Sequence, residues 1–195
     1  MKKILLLSII LNIKTMAFNF DIWESGISLK KAISISKSHD IALAKNGIIH
    51  SSKKFNQKLL DIKNNPNNRN FYYKEKLLGK IATIHLYFSQ KSKKLYQIEI
   101  AWYNPRKGFT KDLYKILDEK YNRAKNKSLF QLNLFGSKEI WTSSDKLTTI
   151  KVEHSFNHTK LTYIDNNLFN QNQKEKEKQE INKRKKFIEM DKNKF

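Results

Sequence analysis

No cysteine occurs in this 195-residue chain. That excludes a disulfide framework, a thiolate metal centre, a cysteine nucleophile and a lipidated cysteine. Glycine and proline are scarce, 5 and 2 residues, and the glycines stand singly, which excludes a Gly-rich phosphate loop. Arginine is nearly missing as well. Of 39 basic residues only Arg69, Arg106, Arg123 and Arg184 are arginine. No apolar run approaches the roughly 20 residues that a membrane-spanning helix needs.

What is present is lysine, in a chain of net charge +21. Such a charge invites a nucleic-acid or anionic-surface reading. The abundance of Lys, Asn, Ile, Phe and Tyr, all with A/T-rich codons, instead points first to the base composition of an AT-rich genome. Phosphate and base recognition favour arginine for its planar, bidentate fork.

The first seventeen residues have the three parts of a cleavable secretory signal. Lys2 and Lys3 form a positive start, and Ile4 to Ile13 is apolar apart from Ser8 and Asn12. Thr15-Met16-Ala17 then places small residues where signal peptidase requires them. Cleavage is expected between Ala17 and Phe18, giving a periplasmic or secreted protein with no transmembrane segment after removal of the signal. The remainder divides into a domain over 18–165 and a charged helical or disordered tail over 166–195.

Within the domain, Ser28 is a good N-cap, and Leu29, Ala32, Ile33 and Ser36 share one helical face. Ile41 to Leu43 reads as a short strand and Lys45-Asn46-Gly47 as a turn. Phe55, Leu59 and Ile62 suggest a second helix, ended by the Asn-rich loop 64–70. Phe71 to Leu77 is strand-like. Alternation of apolar and polar residues over 81–88 and 96–102 predicts an antiparallel hairpin. Thr110 is expected to cap a helix whose stripe is Leu113, Ile116, Leu117 and Tyr121, with Phe109 stapled onto Tyr114. Segments 138–142, 147–154 and 159–164 predict three more strands, and 129–137 an apolar loop or edge strand. The fold class is therefore α+β, an antiparallel sheet in ββ-α-βββ order, with N-terminal helices and a charged C-terminal tail. No sequence repeat is visible.

Chemistry is sparse. His154 and His158 flank a hairpin turn rather than sharing a helix face, and no HExxH pattern occurs. Gly26-Ile27-Ser28 lacks the second glycine of a nucleophile elbow. Glu99 and Glu153 have polar-face parity and are the natural partners of cross-strand lysines. No catalytic, metal or cofactor residue is expected, and no RNA-recognition signature argues for nucleic acid. The second sheet face is more informative. Ile81, Tyr87, Tyr103 and Ile164 share its parity with Thr83, His85, Gln97, Glu99, Lys151 and Thr162. Half apolar and half polar, it suits either the N-terminal helices folding over it or a partner protein.

The segment Trp23-Glu24-Ser25-Gly26-Ile27-Ser28-Leu29-Lys30-Lys31-Ala32 resembles the aromatic-x-x-Gly-hydrophobic-Ser/Thr opening of small exported bacterial envelope proteins. The small lipoprotein subunit of the outer-membrane β-barrel assembly machinery opens its domain in a similar way. The resemblance spans about ten residues; the chain departs from it in lacking a lipidated cysteine and in its longer strand pattern. It implies a location and no site. The expectation is a non-enzymatic envelope accessory protein that binds a protein partner or an anionic envelope surface. The competing expectation is a hydrolase of envelope polymers, which would need a pocket holding paired carboxylates or a His–carboxylate pair.

Overall fold

The structure, a computed structural model, describes residues 16–44, 70–123 and 136–192. Phe18 is the first buried side chain. It leads into a ribbon of two short strands, β1 (Asn19–Phe20) and β2 (Trp23–Glu24). Gly26, at φ 79, then turns the chain alongside residues 93–95. Its N–H donates to the Leu95 carbonyl at 2.8 Å, and Leu29 N–H donates to that of Lys93 at 2.9 Å. Ser28 caps α1 (Leu29–Ser38) as expected, its hydroxyl accepting from Lys31 N–H at 3.2 Å. Ala32 and Ser36 are fully buried, and Ser36 returns its hydroxyl to the Ile33 carbonyl, so this buried hydroxyl is met.

After α1 the expected strand at 41–43 is reduced to one bridge, Ala44 against Tyr72. The turn at 45–47, the helix around Phe55 to Ile62, the Asn-rich loop up to residue 69 and most of 129–137 lie outside the described residues. Three strands follow: β3 (Asn70–Leu77), β4 (Lys80–Phe88) and β5 (Leu95–Tyr103). Next come α2 (Phe109–Lys120), the two-residue β6 (Asn122–Arg123), then β7 (Ser137–Thr142), β8 (Thr148–Ser155) and β9 (His158–Asp165). The α+β class with a main antiparallel sheet, beside the β1–β2 ribbon, is thus the observed one, with Phe71–Leu77 joining the main sheet as an additional leading strand.

The sheet order is β3-β4-β5-β9-β8-β7-β6. Two meanders meet at their last strands, β5 against β9, with Ile100 opposite Leu161. Each meander is preceded by a helix, and each helix by a glycine at positive φ, Gly26 at 79 and Gly108 at 83. Among the described residues a helix followed by a three-stranded meander thus occurs twice, and the two meanders stand in mirrored order across the sheet.

Both helices pack on the same face. Phe71, Ile84, Ile100, Trp102, Leu161, Val152 and Trp141 form one buried cluster with Ala32, Phe109, Leu113 and Leu117. All three tryptophans are buried with their N–H satisfied: Trp23 to the Tyr73 hydroxyl at 2.7 Å, Trp102 to the Leu77 carbonyl at 3.4 Å, Trp141 to Asp118 at 2.6 Å. Thr110 does not cap α2. The helix starts two residues earlier than a Thr110 cap would place it, because Phe109 is drawn under Trp102, with ring centres 5.1 Å apart. The cap position falls to Gly108, and Thr110 instead meets His154 at 3.3 Å. Phe109 is thus held by Trp102, and Tyr114 packs on Trp141.

The segment read as a tail is a third helix, α3 (Asn166–Lys192), continuous with β9. Its first two turns belong to the fold. Asp165 accepts from Leu168 N–H at 3.0 Å, Phe169 packs on Tyr96, and buried Asn172 accepts from Gln90 N–H at 3.0 Å. From Lys176 to Lys192 every residue is exposed.

Candidate functional site

The registers lay out the face opposite the two packed helices as rows crossing the sheet. One row runs Tyr72, His85, Glu99, Thr162, Lys151 and Ile140. The next runs Lys74, Thr83, Ala101, Lys160, Glu153 and Lys138. Neither α1 nor α2 covers this face, because both spend their apolar sides on the other.

The four residues singled out by parity separate into two pairs. Ile81 and Tyr103 are neighbours at one end, each 68% exposed, in the row with Lys76 and His158. Tyr87 and Ile164 sit in the row three pairs away, on either side of Gln97, about 20 Å along the strands. Tyr87 is half-buried, and Ile164 is only 6% exposed. Ile164 therefore offers no surface to a partner.

Two residues that parity could not identify complete the Ile81–Tyr103 end. Leu78, in the β3–β4 turn at φ 51, and Phe156, in the β8–β9 turn, are both exposed, Phe156 entirely so. Antiparallel pairing brings both turns to the end of the sheet where Tyr103 lies opposite His158, with ring centres 5.0 Å apart. Leu78, Ile81, Tyr103 and Phe156 thus lie at one end of the sheet, drawn from three parts of the chain. This is the largest gathering of exposed apolar side chains on the sheet among the described residues.

Charge surrounds this end unevenly. The open face carries Lys74, Lys76, Lys138, Lys151 and Lys160 against Glu99 and Glu153. Lys160 spends itself on Glu153 at 2.5 Å, with Glu99 at 3.9 Å, and Lys138 reaches Glu153 at 3.4 Å. The hydrogen bond from Lys160 holds the Glu153 carboxyl below its ordinary value and raises the lysine in return. These are the cross-strand lysine partners expected for the two glutamates. Lys74 and Lys76, beside Ile81, make no ion pair among the described residues.

Across the middle of the face His85 lies between Tyr72 and Tyr87, with ring centres 5.4 and 6.3 Å away. Burial pushes Tyr87 up to about 12, aided by Glu99. Burial also lowers His85, against the pull of Glu99. A lowered folded value means that the folded chain binds fewer protons than the unfolded one. The corresponding stability is complete above the ordinary value of 6.5 and is lost as pH falls through it. In urea melts taken from about pH 7.5 to about 5.5, the unmodified chain is expected to lose stability that His85→Gln retains. Equal pH dependence in both would remove His85 from that account.

A second place gathers chemistry that single-residue reading missed. A cleft of about 560 Å³ is lined by Asp21, His39, Asp40, Tyr73, Lys74 and Glu75 among others. Glu75 is raised by burial and then by the Asp21 charge, while a hydrogen bond from Tyr73 acts in the opposite sense. Asp21, His39 and Asp40 are exposed. They come from the β1–β2 turn and the end of α1, so no spacing in the chain announces their meeting with β3. Among the described residues no three His or carboxylate groups gather in a way that could hold a metal ion.

No family model, no curated protein and no solved structure matches the chain.

Proposed function

We propose that this chain is an exported, non-enzymatic accessory protein of the bacterial cell envelope that holds an acidic protein partner against the Ile81–Tyr103 end of its sheet. The observation that carries the reading is the placing of exposed Leu78, Ile81, Tyr103 and Phe156 at one end of the sheet beside Lys74 and Lys76, which make no ion pair among the described residues. An apolar centre with a cationic rim fits a partner that presents apolar side chains ringed by carboxylates. Export is supported by the three-part pattern of residues 1–17. A cut after Ala17 keeps every buried apolar side chain of the described domain and removes the Ala17 N–H that donates to Ser25 and the Ala17 carbonyl that accepts from Thr148.

The experiment places a photo-crosslinking residue at Tyr103 and, as control, at Ile116, which is exposed on α2. The protein is expressed in its own cell, and the N-terminus of the recovered chain is read. The expected result is a chain beginning at Phe18. Tyr103 should capture one acidic envelope protein that Ile116 does not, with capture lost in Lys74→Glu/Lys76→Glu. A chain retaining Met1, or equal capture from both positions, overturns the proposal.

A hydrolase of envelope polymers is the second reading, favoured by the cleft in which burial raises Glu75 toward the protonated form a general acid needs. Polymer turnover abolished by Glu75→Gln, with capture at Tyr103 unchanged, would establish it in place of the first.

A further inference from the structure

We propose that the outer edge of β3 takes an extended segment of the partner protein as an added antiparallel strand, and that this segment carries acid–base–acid at three successive residues, opposite Lys74, Glu75 and Lys76. The proposal rests on the sheet-end reading, because Lys74 and Lys76 serve both, and it names how the partner's chain is held.

β3 is the outermost strand on its side of the sheet. Its pairing beyond β4 is a single bridge among the described residues. Ala44 N–H donates to the Tyr72 carbonyl at 2.7 Å, and Tyr72 N–H donates to that of Ala44 at 3.0 Å. Both main-chain groups of Tyr72 therefore face away from β4. Main-chain direction alternates along a strand, so those of Lys74 and Lys76 face the same way. No backbone hydrogen bond meets them there among the described residues. The chain that could have met them turns aside. Before Ala44 the connector is bonded to α1 and to itself, Ile41 N–H donating to the Ser36 carbonyl at 2.8 Å and Leu43 N–H to that of Ile41 at 3.1 Å. The cleft of about 560 Å³ is lined both by residues 39–42 of this connector and by Tyr73, Lys74 and Glu75. An unpaired edge beside an open cleft is the setting in which a sheet gains a strand from another chain.

Charge selects the occupant. In an added strand, the residues opposite Lys74 and Lys76 lie on the open face, and the residue opposite Glu75 lies on the other. Lys74 and Lys76 are exposed and make no ion pair among the described residues, so carboxylates fit opposite them. Glu75 lines the cleft together with Asp21 and Asp40, so a lysine or arginine fits there. The charge of Asp21, which already acts on the Glu75 carboxyl, favours a cation at that place. A second copy of this chain does not fit. Two β3 edges laid antiparallel about Glu75 would set Lys74 against Lys76 twice, and like charges directly opposite destabilise a pair. The edge lysines thus refuse the chain's own edge and accept one of complementary charge.

The test follows the amide resonances of Lys74 and Lys76 in the isotopically labelled full chain as end-blocked synthetic peptides are added. The first probe is Thr-Val-Glu-Lys-Glu-Val-Thr. The second is Thr-Val-Glu-Glu-Lys-Val-Thr, of the same composition and net charge but with the alternation broken. Each cross-strand charge pair contributes up to about fivefold, and like charges cost a similar amount. The first probe is therefore expected to bind about tenfold more tightly or better. On binding, the Lys74 and Lys76 amides should shift, while that of Glu75, which faces β4, moves little. Methyl groups on the main-chain nitrogens of both glutamates of the first probe remove the donors that face β3 and should abolish binding. A methyl group on the main-chain nitrogen of its lysine, which faces away, should be tolerated. Equal binding of the two sequences, equal binding of the two methylated forms, or no binding of the first probe overturns the proposal. Only the probe changes, so no loss of fold can imitate these results. Capture at Tyr103 is read separately. Capture without peptide binding strikes the added strand and leaves the sheet-end reading standing, and peptide binding without capture does the reverse.

Discussion

Leu117→Ala is expected to destabilise the domain by about 2–5 kcal/mol, and the neighbouring Ile116→Ala by only about 0.5 kcal/mol. The two side chains are isomers of the same volume and differ in what surrounds them. Leu117 is 1% exposed and lies in one buried cluster with Leu113, Phe109, Ile100 and Trp102. Removing three of its carbons leaves a void between α2 and the centre of the sheet. That void is bounded by ring systems whose positions are fixed on the other side, Trp102 by its bond to Leu77 and Phe109 by the start of the helix. Close-packed surroundings of this kind collapse poorly, so the cost should fall in the upper part of the range. Ile116, 37% exposed on the outer flank of α2, loses little on truncation. Urea melts of both variants should show unchanged slopes and separated midpoints. Equal midpoints would mean that α2 is not seated on the sheet through Leu117.

The strands were legible because the chain is strict about alternation where one face is buried. Ala82, Ile84, Leu86 and Phe88, then Ile98, Ile100 and Trp102, announce both period and inward face, and all are buried. Where a strand lies at the sheet edge the signal weakens. In β3 Tyr72 and Tyr73 point to opposite faces, and Lys74, Glu75 and Lys76 follow, so the segment reads as extended without declaring its place in the sheet. Parity also fixes a side chain's face and says nothing of its position along it. That is why Ile164 and Tyr87 were grouped with Ile81 and Tyr103, from which they lie three rows distant. Position along the face follows from the pairing of β5 with β9, a contact between residues about sixty apart that no local pattern encodes. Leu78 and Phe156 escaped notice for a related reason. A turn residue has no period, and its exposure is known only when its neighbours are. The recurrence of a helix followed by a meander is equally hidden, since the two halves share little beyond Gly26-Ile27-Ser28 and Gly108-Phe109-Thr110. In the second copy, moreover, burial of Phe109 shifts the helix start ahead of the hydroxyl. Composition did mark the change of character near residue 166, but it placed the limit of the fold too early. Leu168, Phe169 and Asn172 are too few to register in a charged segment, yet each finds a partner in the domain.

Two truncations locate that limit. A chain ending at Glu175 is expected to melt within a few degrees of the full-length protein, because every described residue it loses is exposed and the bonds from Asp165, Phe169 and Asn172 remain. A chain ending at Asp165 loses the ring that packs on Tyr96 and the carboxamide oxygen that accepts from Gln90 N–H. It also loses Asn166, whose N–H donates to the Leu147 carbonyl at 2.9 Å and whose side chain donates to that of Lys146 at 2.7 Å. Leaving a half-buried N–H unmet costs about 1–3 kcal/mol, and exposing the apolar surface under Phe169 adds on the order of 1–2 kcal/mol. Together these amount to about 3 kcal/mol, or a melting temperature lower by roughly 6–12 °C for a domain of this size. Thermal melts of the two chains side by side decide the matter. Should the chain ending at Glu175 melt as low as the shorter one, the exposed part of α3 stabilises the domain through contacts beyond its first turns. Should both melt like the full-length protein, the docking of Phe169 and Asn172 contributes nothing, and the fold ends with β9.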